Sequence, residues 1–156
     1  MEITSEYFAG QKEKAREIYD AQQSIYNPYF QTKVVLNSDG FHHLQFSARV
    51  ERPKQEQVRK FRCLAAGLEI IRRSGTVQEY RTLLTPVGKK SPHNGSVPVK
   101  FVEYWGMVAI VGEKKLKVRV VLRKVGDGNI TFWSVMPFSK IKQGKQKLFS
   151  EGIEDA

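Results

Sequence analysis

The sequence holds one cysteine and three histidines in 156 residues, which excludes the small-protein classes built on covalent or metal crosslinks. Cys63 alone cannot form an intramolecular disulfide, and the scattered histidines do not have the spacing of a structural zinc site. Apolar runs are only a few residues long, whereas a membrane-spanning helix needs about 20. The first residues also lack the basic-then-apolar order of a signal peptide. We therefore expect a cytoplasmic protein with no membrane contact, no metal and no cofactor.

The sequence also lacks the motifs of several common enzyme classes. It contains no GxxxxGK[ST], no GxGxxG after a strand, no HExxH and no GxSxG. Nucleotide triphosphatases, dehydrogenases, zinc proteases and hydrolases with a nucleophile elbow are therefore without support.

What the chain does have is positive charge. It carries 26 Lys and Arg against 16 Asp and Glu, a formal net charge of +10. The basic half starts at Arg52, while Glu151, Glu154 and Asp155 make the last residues acidic. The electrostatic field of this positive charge raises the local concentration of polyanions, and nucleic acid is the commonest polyanion of the cytosol. A solvated basic face without any partner is the alternative interpretation.

Two segments have the composition and spacing of helices. Residues 5–22 are rich in Ala, Glu, Lys and Gln, and residues 53–75 repeat apolar side chains every three or four positions. Between them, residues 29–37 and 41–47 flank the turn signal Asn-Ser-Asp-Gly and predict a β-hairpin. The second of these pieces could instead lead into the following helix.

Residues 85–98 form a Pro- and Gly-rich loop. After this loop, the spacing of apolar residues changes from the helical period to the alternation typical of strands. Three strands joined by short turns begin at Val99 and predict an antiparallel meander. We therefore expect an α+β fold, with N-terminal helices packed on one face of a small antiparallel sheet and the other face partly open. We assign residues 1–150 to a single domain of this type and residues 151–156 to a short acidic tail.

Alternation along the middle strand of the meander places Arg119 and Arg123 on the open face. If Asp-Gly forms the centre of the next turn, Arg123 faces Phe132. The same register brings Ser134 to this surface and turns Trp133 into the core. Guanidinium groups beside an aromatic ring and a hydroxyl suit a ligand with phosphates and bases. A three-residue turn would reverse the register, and basic residues also serve as edge protection.

His42 and His43 follow the Asn-Ser-Asp-Gly signal. Histidine titrates near neutral pH and is the natural proton carrier for reactions at phosphorus, where nearby arginines stabilise the developing charge. On a strand, only one of the two side chains would be well exposed. A hydrogen-bonded structural histidine is the alternative interpretation.

The string GFHHL before a long helix, together with a final meander strand ending FWSVMP, resembles the phage-associated branch of the barnase, EndoU, colicin and RelE-like ribonuclease superfamily. The resemblance covers about residues 30–138 and implies helices packed on an antiparallel sheet. It also implies metal-independent RNA cleavage, in which the ribose 2′-hydroxyl attacks the adjacent phosphate. Such proteins are often toxins of toxin–antitoxin or phage-conflict systems, so the resemblance implies RNA as substrate and an acidic antitoxin as partner.

By position, the resemblance assigns catalytic roles to five residues. His42 and His43 match its histidine motif, Arg119 and Arg123 match its basic strand, and Ser134 matches the hydroxyl of its last strand. The final strand has no Glu or His as in barnase-like members, so the general base stays open. Weaker candidates for substrate binding are Arg49, Lys54, Tyr80, Lys117 and Phe132.

Two other functions fit the same residues. A non-catalytic nucleic-acid-binding module would use the basic patch for phosphates and the histidines for structure, and it would bind in a salt-dependent way without cutting. A structural protein of a mobile element would show no affinity for nucleic acid at physiological salt.

Overall fold

The computed structural model describes residues 2–138 and 152–156, and it has the expected α+β class. Three helices span Ser5–Asp20 (α1), Ser38–Gln45 (α2) and Lys54–Arg73 (α3). The strands of the described residues span Ser24–Asn27 (β1), Thr32–Val35 (β2), Phe46–Ser47 (β3), Val50–Glu51 (β4), Glu79–Pro86 (β5), Val99–Val111 (β6), Leu116–Val125 (β7) and Ile130–Pro137 (β8). A short 3₁₀ turn follows at Ile153–Asp155.

The main sheet is mixed and has six strands in the order β1-β2-β8-β7-β6-β5, so it is larger than the expected three-strand meander. Strands β6, β7 and β8 form that meander, and β5 extends it at a stretch where the sequence gives no strong strand signal. On the other side, β1 and β2 form a hairpin that joins β8 through one parallel pair, Val35 with Thr131. Strands β3 and β4 form a separate ribbon.

Helices α1 and α3 occur where the composition predicts them. The side chain of Thr4 caps α1 by accepting a hydrogen bond from the Tyr7 amide, and α3 starts directly after Pro53. Apolar residues of α3 face the sheet and enclose the main core with β7 and β8; they are Phe61, Leu64, Leu68 and Ile71. A Cβ at Gly67 would lie 2.6 Å from the side chain of Val135, so glycine lets α3 approach the sheet closely.

The segment after Asn37 is helix α2 and not the expected second strand of a hairpin. Asn37 is extended, and its side-chain oxygen accepts a hydrogen bond from the Gly40 amide at 3.1 Å, which satisfies a donor of the first helical turn. A Cβ at Gly40 would lie 2.5 Å from the main-chain oxygen of Phe132, so α2 sits directly on β8. As a consequence, His43 points inward and is buried while His42 is exposed.

The register between β7 and β8 corrects a second expectation. Arg123 lies opposite Thr131 and not opposite Phe132, because Val121 pairs with Ser134 while Leu122 already pairs with Phe132. Trp133 is therefore the extra residue of a β-bulge. The bulge turns Phe132 into the helix-covered core, where it is fully buried, and places Trp133 on the opposite face, the reverse of the expected arrangement.

No helix within residues 2–138 and 152–156 combines the length and hydropathy needed to span a bilayer.

Candidate functional site

Within residues 2–138 and 152–156, one side of β8 has no neighbouring strand beyond Thr131, because β2 meets β8 at a single pair. Helices α2 and α3 pack against β8 on this side. Side chains from α2, from the start of α3 and from β8 therefore meet beside the sheet, next to the basic residues of β7.

Four cationic side chains gather at this place, and we call Arg52, Lys60, Arg119 and Arg123 the cationic cluster. Arg52 is 7% exposed and Lys60 is 3% exposed, while the two β7 arginines are half-buried. Arg52 pairs with Glu56 at 2.8 Å and Arg119 with Glu79 at 3.3 Å. Because the positive groups outnumber these carboxylates, the cluster attracts anions.

His43 lies at the centre of the cluster. Its ring stacks on that of Trp133 with the centroids 3.9 Å apart, and its Nε2 is 3.1 Å from Nη2 of Arg52. Burial, reinforced by the neighbouring Arg52 charge, lowers the pKa of His43 to about 3. The imidazole is therefore neutral at physiological pH, which favours a role in positioning Arg52 and Trp133 over a role in carrying a proton.

Lys60 is a group of the cluster that titrates near neutral pH. Its Nζ donates to Oγ of Ser134 at 3.1 Å, and the main-chain oxygen of Val135 lies 3.5 Å away. Burial, together with the Arg52 charge, lowers the pKa of Lys60 from 10.5 to about 7. An amine with this pKa can both accept and release a proton at physiological pH, as a general base must.

Lys60 and Arg52 are not among the residues that the sequence singles out. Lys60 stands in a helix crowded with other basic residues, and the one signal of its burial is spacing. It precedes Leu64 by four residues and so lies on the apolar stripe of α3. Arg52 carries no such signal, because it is enclosed by groups from other parts of the chain, including the main-chain oxygens of His43 and Ala156.

The two β7 arginines present donors that nothing in the described part of the chain satisfies. The guanidinium of Arg123 lies 4.2 Å from the Trp133 ring and 5.9 Å from the Tyr104 ring. Nε of Arg119 and Nε of Arg123 are buried without a hydrogen-bond partner in residues 2–138 and 152–156. Since an unpaired buried donor costs free energy, these two atoms are candidates for contacts with a ligand.

A cavity of about 590 Å³ opens beside the cluster. Lys60 and Arg119 line it together with Met136, and Ala156 closes one end. This volume lies within the range of small-ligand sites and can hold a sugar-phosphate unit. In the described ranges, no three His, Cys, Asp or Glu side chains are grouped as a metal ion would need.

Four of the five residues expected to be catalytic come together here. His43 and Arg123 contact Trp133, Arg119 lines the cavity, and Ser134 is held by Lys60. His42 does not join them. It is exposed on α2 and stacks on Phe46, beside Arg16 and Asp39.

The residues expected to bind substrate are scattered. Lys117 lies on the same face as Arg119, and both cations lie over the Phe138 ring. The others lie elsewhere: Arg49 in the exposed β3–β4 turn, Lys54 over the Phe8 ring of α1, Tyr80 against Trp105 on the helix-covered face, and Phe132 in the core. Phe132 is 0% exposed, so its ring cannot stack on a base as expected.

The chain matches no family model, no curated protein sequence and no solved structure. The function must therefore be argued from the geometry of the cluster.

Proposed function

We propose that the chain is an RNA endonuclease that cleaves by attack of the ribose 2′-hydroxyl on the adjacent phosphate. The observation that supports this proposal is the cationic cluster itself. It combines two arginines with unpaired donors, which suit a phosphate, and a buried lysine whose pKa of about 7 suits proton transfer.

Three residues of the cluster take part in the proposed reaction. Arg119 and Arg123 bind the scissile phosphate and stabilise the charge of its pentacoordinate state. The neutral amine of Lys60 accepts the proton of the 2′-hydroxyl, the bond from O2′ to phosphorus forms, and the bond from phosphorus to O5′ breaks. The leaving O5′ takes a proton from solvent, and the products are a 2′,3′-cyclic phosphate and a free 5′-hydroxyl.

Two further side chains, those of Ser134 and His43, hold residues of the site in place. Ser134 holds Nζ of Lys60 at 3.1 Å, and His43 fixes Arg52 and the Trp133 ring. We place the reaction in the cytoplasm, as that of a toxin restrained by an acidic antitoxin protein. The excess positive charge of the cluster supports a partner of negative charge.

The proposal is tested with full-length protein and end-labelled RNA in a buffer that contains a chelator. We expect products that end in a 2′,3′-cyclic phosphate, and no cut where a 2′-deoxy nucleotide replaces the attacking one. Lys60→Met keeps the length of the side chain and removes the amine. It should slow cleavage by about 10² to 10⁴-fold while RNA binding changes little.

A matched pair of variants separates phosphate binding from general charge. Arg123 and Lys124 are neighbours on β7 that point to opposite faces of the sheet. Arg123→Gln should weaken RNA binding and lower the salt slope by about one, whereas Lys124→Gln should leave both close to wild type. Equal losses in the two variants would count against the site.

The alternatives predict different results in the same assay. A non-catalytic binding module binds RNA in a salt-dependent manner and leaves it intact after long incubation. A structural protein of a mobile element shows no affinity for RNA at physiological salt. Either result would overturn the endonuclease proposal if it also holds for the variant with a released C-terminal segment described next.

A further inference from the structure

The C-terminal residues Gly152–Ala156 lie on the sheet face opposite the helices and cover the cationic cluster. Ile153 is 6% exposed and packs into a second apolar cluster with Val102, Tyr104 and Val121. These residues belong to β6 and β7, so the segment is seated on two adjacent strands of the meander. An apolar side chain buried in this way anchors the segment to the sheet.

Polar contacts fix the path of the segment across the cluster. Nε1 of Trp133 donates to the main-chain oxygen of Glu154 at 2.9 Å. The main-chain oxygen of Ala156 lies 3.0 Å from Nε2 of His43 and 3.1 Å from Nη2 of Arg52. Nη2 of Arg52 donates to the oxygen of Ala156, which therefore occupies a place where the cluster offers a donor to an anion.

The acidic side chains of the segment add a charge match. Oε1 of Glu154 lies 3.0 Å from Nε of Arg81, and the Glu154 side chain is 16% exposed. Asp155 lines the cavity beside Lys60 and Arg119. The negative residues thus lie against a surface that is positive on β5, β7 and α3.

The contacts between the segment and the cationic cluster leave some buried polar atoms without partners. Oε2 of Glu154 is buried without a hydrogen-bond partner in the described residues, and so are Nε of Arg119 and Nε of Arg123. The segment covers the cluster but leaves these two guanidinium donors unused. A phosphate group, with more acceptor oxygens, could use them.

We propose that Gly152–Ala156 is an intramolecular competitor that occupies the cationic cluster and must leave before a polyanion can bind. The docked segment is an acidic peptide ligand of the cluster, and because it belongs to the same chain its effective concentration is in the millimolar range or above. That the excluded polyanion is RNA rests on the proposed function, whereas the docking of the segment does not.

The docking is tested first, by amide and indole hydrogen exchange in the full-length protein. The chain has two tryptophans, so the indole N–H signal of Trp133 can be assigned with a Trp105→Phe variant. Ile153→Ser removes the apolar anchor and should speed exchange of the Trp133 indole N–H at least tenfold. Ile110→Ser, at a β6 position that is 66% exposed, is the matched control and should leave the exchange unchanged. Equal exchange in wild type and Ile153→Ser would overturn the proposal.

The competition is tested next, with heparin as a polyanion that cannot be cleaved. Ile153→Ser should bind heparin at least tenfold more tightly than wild type at the same salt concentration. A synthetic peptide of sequence GIEDA, added at millimolar concentration, should reverse this gain, and the peptide GIKKA should not. If hydrogen exchange shows that the segment is released and the affinity for heparin does not rise, the competitor role is overturned.

These outcomes also separate this proposal from the proposed function. Tighter heparin binding by Ile153→Ser, with no cleavage of RNA by that variant, supports the competitor and contradicts the endonuclease. RNA cleavage at equal rates by wild type and Ile153→Ser supports the endonuclease and contradicts the competitor. Because Ile153→Ser also removes apolar contacts to β6 and β7, Glu154→Lys gives a second test with the same expected direction, matched by Glu13→Lys at an exposed position of α1.

Discussion

The two faces of the main sheet are held together in different ways. The helix-covered face is apolar, and its large side chains, such as Phe132 and Leu122, are 0% exposed. The opposite face mixes a small apolar cluster with cationic side chains and is covered by the short segment Gly152–Ala156. The helix-covered face contributes most of the free energy of unfolding. The opposite face can therefore keep buried hydrogen-bond donors that have no partner. The contrast between them can be tested by variants on each side.

The largest effect is expected from the helix-covered face. Phe132→Ala should lower the free energy of unfolding by about 3 to 5 kcal/mol, because it leaves a cavity in a packed core. Ile153→Ala on the opposite face should cost only about 1 to 2 kcal/mol, because its segment can undock without unfolding of the sheet. Urea denaturation of both variants measures the difference. Equal losses would show that the two faces do not differ as described.

The second prediction concerns the buried amine of Lys60 and the pH range above 7. The folded chain releases this proton above about pH 7, whereas the unfolded chain keeps it up to a pKa of about 10.5. Stability from this group therefore rises with pH between these values, by at most about 1.4 kcal/mol per pH unit. Lys60→Met should remove that rise, since Arg52, Glu56 and Arg119 around it are unchanged. Urea denaturation at pH 7 and 8.5 tests this, and parallel behaviour of variant and wild type would contradict it.

The third prediction concerns His43 and the acid range. Its folded pKa of about 3 lies below the ordinary value of 6.5, so the unfolded chain takes up the proton first as the pH falls. Stability from this group is present above pH 6.5 and is lost towards pH 3, again by at most about 1.4 kcal/mol per unit. His43→Phe keeps a ring on Trp133 and should flatten the acid side of the stability curve. His42→Phe, at the exposed neighbour, is the control and should keep the wild-type slope.

The smallest effect is expected from the ion pair between Arg81 and Glu154. The Arg81 side chain is 49% exposed, so solvent screens the pair. Arg81→Gln should change the free energy of unfolding by less than about 1 kcal/mol. Thermal or urea denaturation in low salt measures it, and a loss of several kcal/mol would mean that the segment is held by charge rather than by Ile153.

The helices and the meander could be predicted because their signals are local. The stripe of α3 and the alternation of β6, β7 and β8 repeat over many residues. The hairpin expected from residues 29–37 and 41–47 is wrong because its local signal is ambiguous. Asn-Ser-Asp-Gly suits both a β-turn and a helix N-terminus, and only the packing of Gly40 on β8 favours the helix.

The site was partly predictable on the same grounds. Arg119 and Arg123 face away from the helices as alternation requires, because the bulge shifts β8 and leaves β7 regular. Phe132 and Trp133 exchange faces because a bulge leaves no mark in the sequence pattern. The roles of Arg52 and Lys60 depend on contacts between distant parts of the chain, that of Arg52 with Ala156 and that of Lys60 with Ser134.

The bulge at Trp133 has a consequence for how β8 can change in evolution. Because of the additional residue, Phe132 and Val135 both reach the core although they are three positions apart. Deleting Trp133 would restore simple alternation and leave Phe132 and Val135 two positions apart, so both would still point into the core. The deletion would instead remove the ring that stacks on His43 and lies against Arg123. We therefore expect a chain without this extra residue to keep its core and to lose the arrangement of its cationic side chains, so the bulge serves the site rather than the packing.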